Sequence, residues 1–264
     1  MLRAAAIGTA ALMACASAQA EDRAASYDVS AGLVHRRLAE HTPGGGTLLT
    51  ERGWLPQVRG SVSRALPSGG AMAGALSLAG APINYNGQTQ AGTPLSTRTR
   101  QTELAADVLW RPLAPQAWGE AWVTAQWLLN RREIESTPGA GGLDETSRAL
   151  LVGARWASPD FAPVAGWRAR VEADARVSAR HRLDVDYRGL LDASSLTGAR
   201  KHQWALRLVG RREESPWSWE VEAARLTQGA SDAVPVYRAG ALFGTVRQPS
   251  LTIEDVALRV NRRF

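Results

Sequence analysis

Residues 167–187 alternate with a period of two. Trp167, Ala169, Val171, Ala173, Ala175, Val177 and Ala179 fall on one side. Arg168, Arg170, Glu172, Asp174, Arg176, Ser178 and Arg180 fall on the other. Only an extended strand sends successive side chains to opposite faces. The same parity runs on through His181, Leu183, Val185 and Tyr187. That predicts one strand far longer than the usual ~5–6 residues. A soluble sheet also buries one face and wets the other. A strand this long, with one face of small apolar residues and one of charges, fits a transmembrane β-barrel better, with lipid outside and a polar interior.

The pattern recurs from end to end. Tyr27, Val29, Ala31 and Leu33 share a face, as do Val58 and Val62, then Met72, Leu76 and Leu78. Leu104, Ala106, Val108 and Trp110 oppose Glu103, Asp107 and Arg111. Further apolar faces carry Val123 and Trp127, Leu150 and Val152, Leu206 and Leu208, Trp219 and Val221, and finally Val256, Leu258 and Val260. Between them, residues 67–70, 112–116, 159–163 and 213–216 read as short turns. Residues 41–53, 84–98, 135–145, 189–198 and 229–249 read as long loops. The reading is an all-β, antiparallel, up-and-down barrel of ten strands, with twelve as the alternative if residues 236–246 form a hairpin of their own in the wall. Loops that alternate long and short match the extracellular and periplasmic ends of such barrels.

The N-terminus reads as an export signal. Arg3 precedes a short apolar run, and Ala18-Gln19-Ala20 supplies a small-residue cleavage site. Residues 1–20 are therefore expected to leave, and residues 21–264 to form one barrel domain. Cys15 is the single cysteine of the 264 residues. It lies inside the signal, so cleavage at Ala20 leaves no disulfide. The rival reading is a lipoprotein signal with Cys15 lipidated.

The formal charge is +6, almost all of the cationic part being arginine, since Lys201 is the only lysine. Basic residues come singly or in pairs, many alternating with apolar ones along strands, rather than in blocks. That argues against nucleic acid as a partner. Four histidines and no mature cysteine give no spacing for metal ligands. No glycine-rich loop joins a strand to a helix to cradle a nucleotide. No cofactor is implied.

Tryptophan is an independent marker. Trp110 and Trp118 edge one short turn, Trp156 and Trp167 the next, and Trp217 and Trp219 the last. Indole prefers the membrane–water interface, so these six are expected to form the periplasmic aromatic girdle.

The last strand, with apolar Val256, Leu258 and Val260 and a terminal Phe264, resembles the C-terminal assembly signal of bacterial outer-membrane barrels. The resemblance implies the outer membrane, recognition by the barrel assembly machinery, and outer-membrane lipid and lipopolysaccharide as neighbours. Arg262 departs from it, standing where an apolar or aromatic residue is usual. In size and strand count the chain is also similar to the omptins, ten-stranded surface proteases. That likeness implies a rim site of acidic residues and histidine, for which Asp184, Asp186, His181 and His202 are the candidates. A carboxylate pair with an imidazole can activate water. The residues around them do not match the omptin pattern, and a solvated ion-paired face accounts for both aspartates.

What remains is the interior. With the apolar faces outward, Arg59, Glu120, Arg155, Arg168, Arg170, Glu172, Asp174, Arg176, Arg207, Glu220, Glu222 and Arg259 face inward. Buried charges must be paired or hydrated. The expectation is a narrow channel for a small anionic solute, or a surface-exposed barrel with an ion-paired interior. The alternatives are the rim-site hydrolase and a non-conducting barrel that binds a partner through its extracellular loops.

Overall fold

A computed structural model describes residues 25–88 and 92–264. The expected export signal, Cys15 and the cleavage site lie outside the described residues. The chain forms β1 (Ser26–His41), β2 (Thr47–Ala65), β3 (Ala71–Gln88), β4 (Pro94–Arg111), β5 (Glu120–Ile134), β6 (Leu143–Ala157) and β7 (Trp167–Ser178). Then come β8 (His181–Asp186), β9 (Ser194–Gly198), β10 (Lys201–Arg212), β11 (Trp217–Gln228), β12 (Val234–Arg238), β13 (Ala241–Val246) and β14 (Ser250–Arg263). Each strand pairs antiparallel with its neighbour, β1 with β14, and β5 with β6, so the sheet closes on itself. β7 and β8 are successive parts of one wall strand, and β9 and β10 of the next, both paired within the same hairpin. The wall therefore has ten strands. The β12–β13 hairpin exists, but as a separate two-stranded sheet outside the wall.

The faces sort by solvent. Leu33, Val58, Leu76, Val108, Val123, Leu150, Leu206 and Leu258 are all exposed on the outer surface. Their neighbours in sequence turn into a buried, charged interior. A barrel turned inside out in this way is stable only when lipid covers the outside. Trp110, Trp118, Trp156, Trp167 and Trp217 are exposed near the end that carries the start of β1 and Phe264, while Trp219 lies flatter, against Gly210. Exposed Trp54, Trp127 and Trp204 stand farther up the outer wall.

Three expectations about the far end need correction. First, most of residues 41–53 and 84–98 is strand rather than loop: β1 runs to His41, β2 starts at Thr47, β3 runs to Gln88 and β4 starts at Pro94. The 18 residues of β3, at ~3.3 Å per residue and ~40° tilt, rise ~45 Å along the axis, against an apolar band of ~25 Å. Beyond the band both surroundings are wet, the alternation fades, and polar strand resembles loop. Second, residues 229–249 fold back as the β12–β13 hairpin, whose Val234 and Val246 pack on Leu183, Val185 and Leu196.

Third, residues 167–187 are not one strand. Leu151 faces Ser178 and Arg148 faces Arg182, so the strand opposite β6 carries one residue more. The extra residue sits at Ala179–Arg180 and inverts every later side chain, as a one-residue slip must. β9 and β10 carry the matching slip at Ala199–Arg200, which keeps the hairpin in register. The reason is solvent. Within the membrane the apolar face must point out; above it, Leu183, Val185 and Leu196 must point in.

Candidate functional site

The interior is the most elaborated part of the molecule, and register puts its charges in layers. In the upper layer Arg132 of β5 reaches across to Glu40 of β1 at 2.9 Å and Glu51 of β2 at 2.8 Å, and sideways to Glu145 of β6 at 2.5 Å. Thr99 and Gln101 also donate to Glu51. In the middle, Arg36 of β1 bonds Asp255 of β14 at 2.7 Å and crosses to Glu103 of β4 at 2.9 Å.

The lower layer is the widest. Arg176 of β7 crosses to Asp107 of β4 at 2.6 Å and turns back on Asp174 at 2.7 Å. Arg155 joins Asp174 at 3.0 Å. Arg207 is bonded to Glu222, and Arg259 to Glu220 and Glu222. Arg170 meets Glu172 at 2.7 Å, and Arg168, exposed at the mouth, meets Glu213 at 2.6 Å. Glu120 takes Arg111 at 2.6 Å. Arg59 lines the open vestibule at this end and makes no ion pair with a described residue. Charge pairs buried this deeply are held by mutual hydrogen bonds, because each left alone would be very costly.

Two cavities lie one above the other in the interior. The upper one, of about 90 Å³, is lined among others by Arg36, Glu103, Asn130, Glu145, Lys201 and Gln203. Lys201, the sole lysine, is buried there and donates to Ser147 at 3.0 Å. Gln126 Oε1, Gln203 Oε1 and Arg132 Nε have no protein partner, and a cavity of this size has room for a few waters to meet them. The lower one, of about 290 Å³, is the vestibule lined by Arg59, Glu120, Arg155, Glu172, Arg207 and Glu220. They share no lining residue. On eight of the ten wall strands the inward residues between them include Val34, Asp107, Thr124, Leu151, Arg176, Ala205, Glu222 and Arg259, all buried. Arg176 bonds Asp107 across that partition, and Arg259 of β14 bonds Glu222 of the neighbouring β11.

Sequence reasoning missed Arg36, Glu40, Glu51, Gln101 and Arg132. Glu51 lay in a segment read as loop, and Glu40 and Arg132 at strand ends beside such segments. The signal was the parity Val34, Arg36, Leu38, Glu40, which continues the inward face of β1.

The four candidate hydrolytic residues do not converge. Because of the slip after Ser178, His181 turns inward, its Nδ1 2.9 Å from the Ala199 carbonyl oxygen. Asp184 and Asp186 turn outward, and His202 is exposed. β8 stands above the apolar belt. There Ser195, Arg182 and Arg148 donate to Asp184 at 2.5, 2.7 and 2.6 Å. The Ser195 hydrogen bond, with the two arginines, holds this carboxyl down to about 2. It is a fixed acceptor at neutral pH, not a proton shuttle. Asp186 accepts from the Arg188 backbone N–H at 2.8 Å. Among the described residues no cluster of His, Cys, Asp or Glu is arranged to hold a metal ion.

At the C-terminus, Arg262 lies over the Phe264 ring at 4.9 Å and over Trp217 at 5.5 Å. The departure from the assembly pattern is thus taken up by two aromatic faces. The Phe264 N–H donates to the Tyr27 carbonyl at 2.9 Å, tying the chain end to β1.

No protein-family model and no curated protein sequence matches the chain. Solved structures do. The outer membrane protease OmpT from Escherichia coli superposes with a TM-score of 0.52 at 10% identity, covering 93% of this chain and 99% of that one. The fold is that of the bacterial outer-membrane β-barrels. The translocator domain of the autotransporter NalP from Neisseria meningitidis gives 0.48 at 11% identity, covering 90% and 88%. Neisserial surface protein A gives 0.35 at 11%, covering 91% and 99%. At such identities the likeness speaks for the fold alone. Together with the apolar outer belt, it locates the barrel in the bacterial outer membrane.

Proposed function

We propose that this barrel is closed to solutes by its own ion pairs and works at its extracellular end, as a surface-exposed, non-conducting outer-membrane protein. The observation that carries this reading is the partition between the two cavities, where Arg176–Asp107 and Arg259–Glu222 join buried side chains. A lining of unpaired arginines would need water and would favour an anion path; here the arginines of the partition each meet a carboxylate. The strands rising above the belt and the β12–β13 hairpin then form the surface open to a partner. Phe264 and the final strand are the part offered to the barrel assembly machinery.

Swelling of liposomes containing the refolded protein tests the closure. Osmotic shock with small sugars, amino acids and sodium acetate is expected to give the protein-free rate. Swelling that tracks solute size and favours anions would overturn the reading and restore a narrow anion-preferring channel.

A further inference from the structure

A row of arginines on the outer wall has no role in closing the interior. Cross-strand register sets Arg225 of β11 beside Glu254 of β14, Glu254 beside Arg37 of β1, and Arg37 beside Arg52 of β2. Arg52 then neighbours Asn84 of β3, and Asn84 neighbours Arg98 of β4. All four arginines are exposed on the outer face. Arg37 has one weak contact, to Glu254 at 3.4 Å. Arg52, Arg98 and Arg225 make no ion pair with a described residue. Arg37 and Arg52 face each other directly, an arrangement of like charges that costs stability unless an anion lies between them.

The height of the row matters as much as its charge. Trp54 follows Arg52 by two residues on the same face, and Trp204 is the direct cross-strand neighbour of Arg225. Indole marks the membrane–water interface. Below the row the same faces carry Leu33, Val58 and Val256, exposed to lipid. An occupant that satisfies both halves has phosphate at its head and acyl chains beneath. A soluble polyanion would leave the adjoining apolar surface uncovered.

We propose that Arg37, Arg52, Arg98 and Arg225 form a binding site for the phosphate groups of a phosphorylated glycolipid in the outer leaflet. Each planar guanidinium can grip a phosphate through two parallel N–H groups. Adjacent strands ~4.8 Å apart space the arginines closely enough for two to share one phosphate.

The test uses full-length protein in detergent, titrated with purified lipopolysaccharide and read by native mass spectrometry and by the temperature at which the folded gel band is lost. Wild type is expected to retain the glycolipid and gain thermal resistance. The triple variant R52A/R98A/R225A is expected to bind at least ~10-fold more weakly, as loss of charge-assisted bonds implies, while keeping the folded mobility of wild type. The three side chains are exposed and make no ion pair with a described residue. Lipopolysaccharide stripped of phosphate should bind wild type no better than the variant. Equal binding by variant and wild type, or indifference to dephosphorylation, would reduce the site to apolar contact and overturn the proposal. Equal protection by inorganic phosphate at matched concentration would also overturn it, in favour of a free-anion site. None of these results bears on whether the barrel conducts.

Discussion

Arg176 on β7 spans the interior to Asp107 on β4, its Nη1 2.6 Å from Oδ1. These strands are not neighbours in the wall. The contact therefore spans the interior between strands separated by β5 and β6, and it lies in the partition between the two cavities. Asp174 and Gln126 complete it, at 2.7 and 3.1 Å. Contacts of this kind close the barrel in the reading proposed above.

Breaking that contact from one side should be costly. Arg176→Met strands Asp107 in the interior, and loss of one partner of a buried pair costs about 3–5 kcal/mol. Adding Asp107→Leu should restore part of the loss. The urea midpoint of the folded gel band measures both. Losses that simply add would mean that the two side chains do not meet.

The lipid face is open to a sharper test than the interior. Leu258 is exposed on β14 beside Val221 and Leu33. Leu258→Arg places a charge in the belt, at about 2–4 kcal/mol near the midplane. The same change at Asn261, on the inward vestibule face, should be tolerated. If urea midpoints rank the two variants the other way, the wall is facing the wrong direction.

Much of this was legible in the sequence, and the limit has a physical cause. Alternation is a signal only where the two faces meet different solvents. Through the belt they do, so Asp174 and Ala173, or Arg259 and Leu258, sort themselves by parity. Above the belt both sides are wet, so Glu51, Tyr85 and Arg98 read as loop although they lie in strands. The slip at Ala179–Arg180 was hidden for the same reason. The apolar parity of Val177 continues in Leu183, but the direction that is favourable for an apolar side chain reverses there. Cross-barrel partners such as Glu40 and Arg132 need the closed register, which a linear pattern does not contain.

The packing above the slip depends on Gly198. A β-carbon there would come within 2.2 Å of the His181 ring, which is buried. Gly198→Ala should loosen β8 and β9 by about 1–3 kcal/mol, the usual cost of overpacking, with the barrel below intact. Hydrogen exchange should rise at Leu183, Val185 and Leu196 while the core of β10 stays protected. Unchanged exchange in β8 would show that the ring is not held there.

Asp184 supplies a pH prediction. Its folded value, about 2, lies below the ordinary ~3.9 of an aspartate. The bonds from Ser195, Arg182 and Arg148 thus contribute in full above the ordinary range and fade as pH falls toward 2. A carboxyl NMR titration in micelles should place the Asp184 midpoint below 3. A midpoint near 4 would mean that these donors are not engaged.

Electrical recording tests closure of the barrel most directly. Folded wild-type protein should be added to a planar bilayer under a salt gradient, with insertion checked by protease protection of the reconstituted fraction. A closed barrel gives a flat baseline with no unitary steps across about ±150 mV, a range on the order of the voltages membrane proteins experience. Reproducible steps with a reversal potential on the anion side would contradict it, because the Arg176–Asp107 partition would then have to open in the native state.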